Sequence, residues 1–452
     1  MNKTVDAIID RNKEALIASL QENIRIPSTE GTPEPGAPFG RAVREALDHA
    51  LATGAKLGLS TTDMEGYVGC IEYGEGEEMV GVICHLDVVP EGTGWTFPPY
   101  SGHIEDGVMY GRGTLDDKGP AVAAIYALGA IKEAGIKLRR RVRIILGTNE
   151  ETGWGCMNYY QQHGEAPTLG FTPDGNYPLV CSEKGIFHSG FEKKFRSAVR
   201  IKSGTRQNVV AGRTEIFVPV GAERVNEAIK AANLPEFDYE VKEAENGTEL
   251  VIIGLDAHAA TPQEGKNSMQ AAFTVLDLLG LPGEDGETIA TLHRALGMGF
   301  HGENMGLDVS DASGRLTLNP GVMVWDEEGI KEFKIDVRHP TSLSNKVVKA
   351  KQEEALGMKA VWEHAQDGLY VPEDSELVSK LMKVWEERSG LKLEPLRIGG
   401  GTYARAFRNV VAFGPEIPGH PCTIHMPNEV IPVDDLIFDA HVIADAMLAL
   451  AE

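Results

Sequence analysis

Two short apolar runs constrain this chain more than any other feature. Met79 to Cys84 (MVGVIC) and Val142 to Leu146 (VRIIL) are too short for helices and rich in Val and Ile, so each reads as a buried strand. Between them, Ala121 to Ala134 has helical character and stops at Gly135, a residue suited to a helix C-terminus. Strand, helix, strand with short joints predicts a mostly parallel sheet with helices packed on it. The segment Thr29 to Gly40 (TEGTPEPGAPFG) is rich in Pro and Gly and reads as a loop.

From about Phe187 the texture changes. Strand-like segments (Glu215 to Val220, Leu250 to Leu255, Phe333 to Val337) flank helical ones (Arg224 to Ala231, Ser268 to Leu279). At 452 residues the chain is comfortable as two domains. The expected organisation is an α/β domain over 1–186, an inserted α+β domain over 187–372, and a return to the first sheet over 373–452. The return opens with a helix from Ser375 to Arg388.

A formal net charge of -24 argues against nucleic acid and anionic membrane surfaces as partners, because both need clustered Lys and Arg. An anionic substrate would need a local basic pocket. Cys70, Cys84, Cys156, Cys181 and Cys422 are odd in number and widely spaced, with no CxxC, which suits a reducing compartment. The first residues have helical periodicity (Val5, Ile8, Ile9, Leu16, Ile17, Leu20) with charges throughout, unlike a signal peptide. No apolar run approaches membrane-spanning length. A soluble cytoplasmic protein is expected.

Chemistry concentrates where strands end. The Met79–Cys84 run leads into His85-Leu86-Asp87, and residues i and i+2 of an extended chain share a face. Open α/β sheets place their sites at the carboxyl ends of strands. A histidine beside a carboxylate suits a metal ligand with an acceptor behind it. Asp116 and Asp117 follow two glycines just before a helix. They could cap that helix, or one could bridge two cations with its two oxygens. Glu150 and Glu151 stand together after Val142–Leu146, tolerable if a cation lies between them or one is protonated. Asp174 sits in a turn after Leu169–Phe171, and His425 lies near the C-terminus. Each is ordinary alone. Together, imidazole and carboxylate donors suit zinc, manganese or cobalt, in a number that two metals would need.

The runs HLDVVP, GRGTLDDKGP, GTNEETG, TPDG, SEKG, DVRHP, GGGTYAR and TIHMPNE stand in one order along nearly the whole chain. In this the chain resembles the PepV-type (Xaa-His dipeptidase-like) members of the metallopeptidase family that also holds aminoacylases, carboxypeptidase G and the ArgE and DapE deacylases. The resemblance implies a zinc-peptidase-like three-layer α/β/α catalytic domain with an inserted lid. It implies two divalent metal ions, zinc first and manganese or cobalt as alternatives. His85, Asp116, Glu151, Asp174 and His425 match the metal ligands, with Asp116 bridging; the choice of Asp116 over Asp117 rests on the family pattern. Asp87 matches the carboxylate that orients His85, and Glu150 the general base that activates a metal-bridging water. His258 matches a lid histidine that reaches the substrate, with Asn208 a second contact. Arg338 matches the clamp on the substrate carboxylate, helped by backbone N–H groups of Gly399, Gly400 and Gly401. Relatives often carry Asp where this chain has Asn149, and tuning is expected there. The implied activity is hydrolysis of dipeptides with a free C-terminal carboxylate; N-acyl-amino-acid deacylation or carboxypeptidase action is the alternative. The long insert implies a monomer whose only partner is its small substrate.

Overall fold

A computed structural model describes residues Met1–Glu452. The chain divides into two compact units. One comprises Met1–Ser182, Val371–Leu396 and Gly401–Glu452; the other comprises Glu183–Tyr370 and Arg397–Gly400.

In the first unit the two apolar runs form neighbouring strands, Met79–His85 and Arg141–Gly147, which pair in parallel. Met79–His85 also pairs in parallel with Leu169–Thr172, and that strand with Val410–Ala412. Two antiparallel strands, Val68–Tyr73 and Ser60–Met64, continue the sheet beyond Arg141–Gly147. The expected mostly parallel sheet is therefore present at the centre, with an antiparallel margin. Met79–His85 is buried along its full length, as a strand covered on both faces must be. The helix between the two runs spans Lys118–Glu133, and Gly135 follows it at φ +68°, the conformation its lack of a Cβ permits. The last helix, Val433–Ala451, packs on it. Ser375 caps the Glu376–Ser389 helix by accepting from the Val378 N–H.

Parallel pairing has one consequence for function. His85, Glu150 and Asp174 end or follow three parallel strands, so they emerge at the same edge of the sheet.

The second unit is built on an eight-stranded antiparallel sheet. Its strand order is Asp238–Ala244, Gly247–Ile253, Arg213–Val218, Arg200–Ser203, Thr317–Asp326, Gly329–His339, Gly185–Lys194, Ala360–Gln366. The helices include Ala222–Ala232, Ser268–Leu278, Gly283–Leu296 and Asn345–Leu356. Its core gathers Phe187, Phe191, Leu250, Phe273, Trp325 and Phe333, all nearly inaccessible. An apolar core of this extent can hold such a unit together by itself. No helix of the chain is long and apolar enough to cross a membrane.

Candidate active site

The loop that presents Asp116 is held from the far end of the chain. Glu429 Oε1 accepts from the N–H groups of Gly113 and Leu115 at 3.0 Å and of Asp116 at 3.3 Å. Its Oε2 accepts from Arg112 Nη1 at 2.6 Å. Glu429 is fully buried and Arg112 almost so, and Arg112 also lies over the Trp95 ring. Burial nonetheless pushes the Glu429 carboxyl up to about 7. Neither residue was singled out in the sequence, although Glu429 closes the run TIHMPNE.

Asp116 stands between two histidines. Its Oδ1 lies 2.9 Å from His85 Nε2 and its Oδ2 3.0 Å from His425 Nε2. His85 Nε2 is 3.7 Å from Asp174 Oδ2, and His425 Nε2 is 3.1 Å from Glu151 Oε1. The five residues thus form two groups, His85 with Asp116 and Asp174, and Asp116 with Glu151 and His425. Within each, potential ligand atoms lie within 4.8 Å of one another. Asp116 belongs to both, one oxygen toward each histidine. Its neighbour Asp117 turns elsewhere, accepting from the His85 backbone N–H at 2.9 Å.

The electrostatics favour cations here. Asp87, Asp116, Asp117, Asp174, Glu150 and Glu151 crowd two imidazoles, His85 and His425. Burial pushes the carboxyls of Glu150 and Asp117 well above the usual range and raises that of Glu151. At Asp116 burial is outweighed by the hydrogen bonds from His425 and His85, which hold its carboxyl below that range. Hydrogen bonds to Asp116 and Glu151 raise His425 to about 10. Carboxylates this crowded must take protons or positive charge, and a mixed imidazole–carboxylate set fits a pair of divalent cations.

Asp87 faces His85 and also holds the neighbouring turn. His85 Nδ1 lies 2.9 Å from the Asp87 backbone carbonyl oxygen and 3.6 Å from its carboxylate. The carboxylate also accepts from the Glu150 N–H at 2.9 Å and the Glu151 N–H at 3.0 Å. Asn149 closes the same turn. Its Oδ1 accepts from the Gly155 N–H at 3.0 Å while its Nδ2 donates to Thr152 Oγ1.

Inside the second unit, Asn208 and His258 are neighbours. Val209 and His258 form a β-bridge, and the Asn208 carbonyl accepts from the Ala259 N–H at 3.0 Å. His258 Nδ1 accepts from the Ala260 N–H at 3.1 Å, so the proton of the neutral ring sits on Nε2. Burial and the charge of Arg338 lower its pKa and favour that neutral form. Arg338 gives its Nε–Nη2 edge to Asp336, at 2.8 and 2.9 Å, and an Nη1 hydrogen to the Gly399 carbonyl at 3.3 Å. Each Nη retains one N–H, enough for a second carboxylate end-on. Gly399 therefore turns its carbonyl to Arg338. Gly400 belongs to the second unit, whereas Gly401 belongs to the first, where a Cβ would meet the Arg405 guanidinium at 2.5 Å.

Residues 81–449 match peptidase family M20/M25/M40. The chain belongs to that family. By this membership it is an enzyme, a metallopeptidase. It is 36% identical to a putative dipeptidase, YtjP, of Bacillus subtilis, over all of both chains. It is 32% identical to a beta-Ala-Xaa dipeptidase of Lactobacillus delbrueckii subsp. lactis, over all of this chain and 99% of that one. Among solved structures, the aminoacylhistidine dipeptidase of Vibrio alginolyticus superposes with TM-score 0.59 at 16% identity, covering 97% of this chain and 96% of that one. Human carnosine dipeptidase 1 gives the same score and identity over the full length of both. These two likenesses establish the α/β fold of the M20/M25/M40 peptidases for this chain.

Proposed function

We propose that this chain is a dinuclear-metal dipeptidase that hydrolyses dipeptides carrying a free C-terminal carboxylate. The observation that carries this reading is Asp116, with one oxygen in each of two donor groups. One cation would be held by His85, Asp116 and Asp174, the other by Asp116, Glu151 and His425. Zinc fits this donor set, and manganese or cobalt would too. Bound there, the cations would acidify a shared water so that hydroxide is available near neutral pH.

The chain's own groups supply the rest. Glu150 takes a proton from the attacking water and delivers it to the leaving amine. Asp87 holds the Glu150–Glu151 turn by its two backbone bonds. The Nε2–H of His258 is suited to the tetrahedral oxyanion, with Asn208 beside it as a second polar contact. The remaining edge of Arg338 is suited to the substrate carboxylate, and Gly399, Gly400 and Gly401 are assigned to that carboxylate as well. The names of the two relatives above support a dipeptide as substrate. Five free cysteines support a reducing, cytoplasmic setting, and we infer a monomer, which light scattering would show as a 48.9 kDa particle.

The test is hydrolysis of Leu-Gly, Ala-His, β-Ala-His and N-acetyl-Leu-Gly by metal-stripped protein before and after zinc or manganese. Metal-restored cleavage of the free dipeptides alone is expected. Cleavage of the N-acetyl compound instead would move the protein to a deacylase or carboxypeptidase activity.

A further inference from the structure

Trp154, half-buried, carries a polar contact that the proposed chemistry leaves unused. Its indole Nε1–H donates to Glu150 Oε1 at 3.2 Å, and this is the hydrogen bond the Glu150 carboxylate makes within the protein. Oε2 is left without a protein partner. A carboxylate fastened by one oxygen turns about a fixed point, and its other oxygen is aimed.

Trp154 is itself tightly placed. It lies at φ +61°, ψ +21°, a left-handed conformation that a bulky L-residue rarely adopts. The turn that imposes it is closed by the Trp154 N–H on the Asn149 carbonyl at 2.8 Å, and by the Asn149 side chain on the Gly155 N–H. The indole meets the Tyr403 ring edge-on, with centroids 5.2 Å apart and planes at 72°. Tyr403 is wholly buried, its hydroxyl 2.8 Å from Cys156 Sγ, and its ring also meets His85 edge-on. A Cβ on Gly147 would lie 2.5 Å from that hydroxyl, so Tyr403 packs directly on the strand that leads to Glu150. Strained backbone retained beside a reacting group marks a position that surrounding structure holds for a purpose. Packing alone would be served by phenylalanine; the N–H serves only Glu150.

We propose that Trp154 is a positioning residue: its indole N–H fixes Glu150 Oε1 and leaves Oε2 to take the proton of the attacking water. This rests on the reading of Glu150 as the base. Losing the N–H would let the carboxylate rotate away from the productive geometry without removing it, so turnover would fall while substrate binding would not.

The experiment compares wild type, Trp154→Phe, Glu150→Gln and the double variant, loaded with manganese, on Leu-Gly and N-acetyl-Leu-Gly, with each metal content measured. Trp154→Phe is expected to lower kcat about tenfold or more with KM within about twofold and metal content unchanged. In the Glu150→Gln background the same change is expected to cost nothing further, because residues acting as a unit are non-additive. Full kcat in Trp154→Phe, or an equal loss in both backgrounds, would overturn the proposal. An independent readout is the 15N-indole resonance absent in Trp154→Phe. It should move upfield on Glu150→Gln, and an unmoved resonance would also overturn it. If wild type cleaves only the N-acetyl compound, the dipeptidase reading fails, and the coupling is read on that substrate instead.

Discussion

Arg112 and Glu429 form an ion pair sealed from solvent, Nη1 to Oε2 at 2.6 Å with side-chain exposures of 2% and 0%, although 317 residues separate them. The free oxygen of that pair gathers the backbone of the loop that carries Asp116. Two segments of the first unit far apart in sequence therefore meet in one carboxylate.

Glu429→Ala would strand the Arg112 guanidinium in the interior and release the N–H groups of Gly113, Leu115 and Asp116. Breaking a buried pair from one side costs about 3–5 kcal/mol. Metal affinity is expected to fall about 10–100-fold, as it does when residues behind metal ligands are lost. Chelator competition and thermal denaturation of the metal-loaded protein measure both.

Asp87→Asn separates two roles for that side chain. The His85 Nδ1 bond to the Asp87 backbone carbonyl survives the change, whereas one of the two N–H groups at Glu150 and Glu151 loses its acceptor. We expect kcat to drop about 10-fold or more while metal affinity changes less. A larger effect on metal affinity than on kcat would instead favour the carboxylate as the orienter of His85.

Metal removal should both abolish hydrolysis and lower thermal stability. Cations that bind only the folded chain stabilise it by mass action, about 2.7 kcal/mol at a hundredfold excess over Kd. Stripped protein titrated with manganese is expected to gain Tm and to bind two ions per chain by elemental analysis. His425→Ala should lower the stoichiometry toward one, leaving His85, Asp116 and Asp174 intact.

Arg338→Lys keeps the charge but forfeits the paired contacts with Asp336 and the end-on edge. KM for Leu-Gly should rise about tenfold or more, while Leu-Gly amide, which lacks the carboxylate, should be cleaved equally by variant and wild type. An equal penalty on the amide would mean that Arg338 serves only Asp336.

Stability should fall between about pH 4 and 7 through Asp439. Burial pushes this carboxyl up to about 7, against the hydrogen bond from Tyr177 that favours its charge. The folded value lies above the unfolded value of about 4. Its stabilising contribution is therefore complete below about pH 4 and is lost as pH rises through 7. Asp439→Asn removes the titration, so the fall in Tm between about pH 4 and 7 should be smaller in the variant than in wild type.

Much of the site was legible before any fold was known. His85, Glu150 and Asp174 stood at the ends of apolar strand-like runs, and Asp116 lay just before a helix; such patterns depend on neighbours a few residues away. The period of a strand and the stop of a helix at Gly135 are local physics. What each side chain does there was not local. Asp87 adds two backbone N–H groups to its contact with His85, Arg338 gives one edge to Asp336, and Trp154 reaches Glu150 from a left-handed turn. Glu429, Arg112 and Tyr403 stand in the quoted runs, but nothing in their immediate neighbours says what they pair with. Sequence alone determined which residues are chemically able to act and which strands and helices carry them. Only the tertiary structure decided which partner each buried polar side chain takes, because desolvation makes an unpaired polar group costly and the candidate partners come from anywhere in the chain.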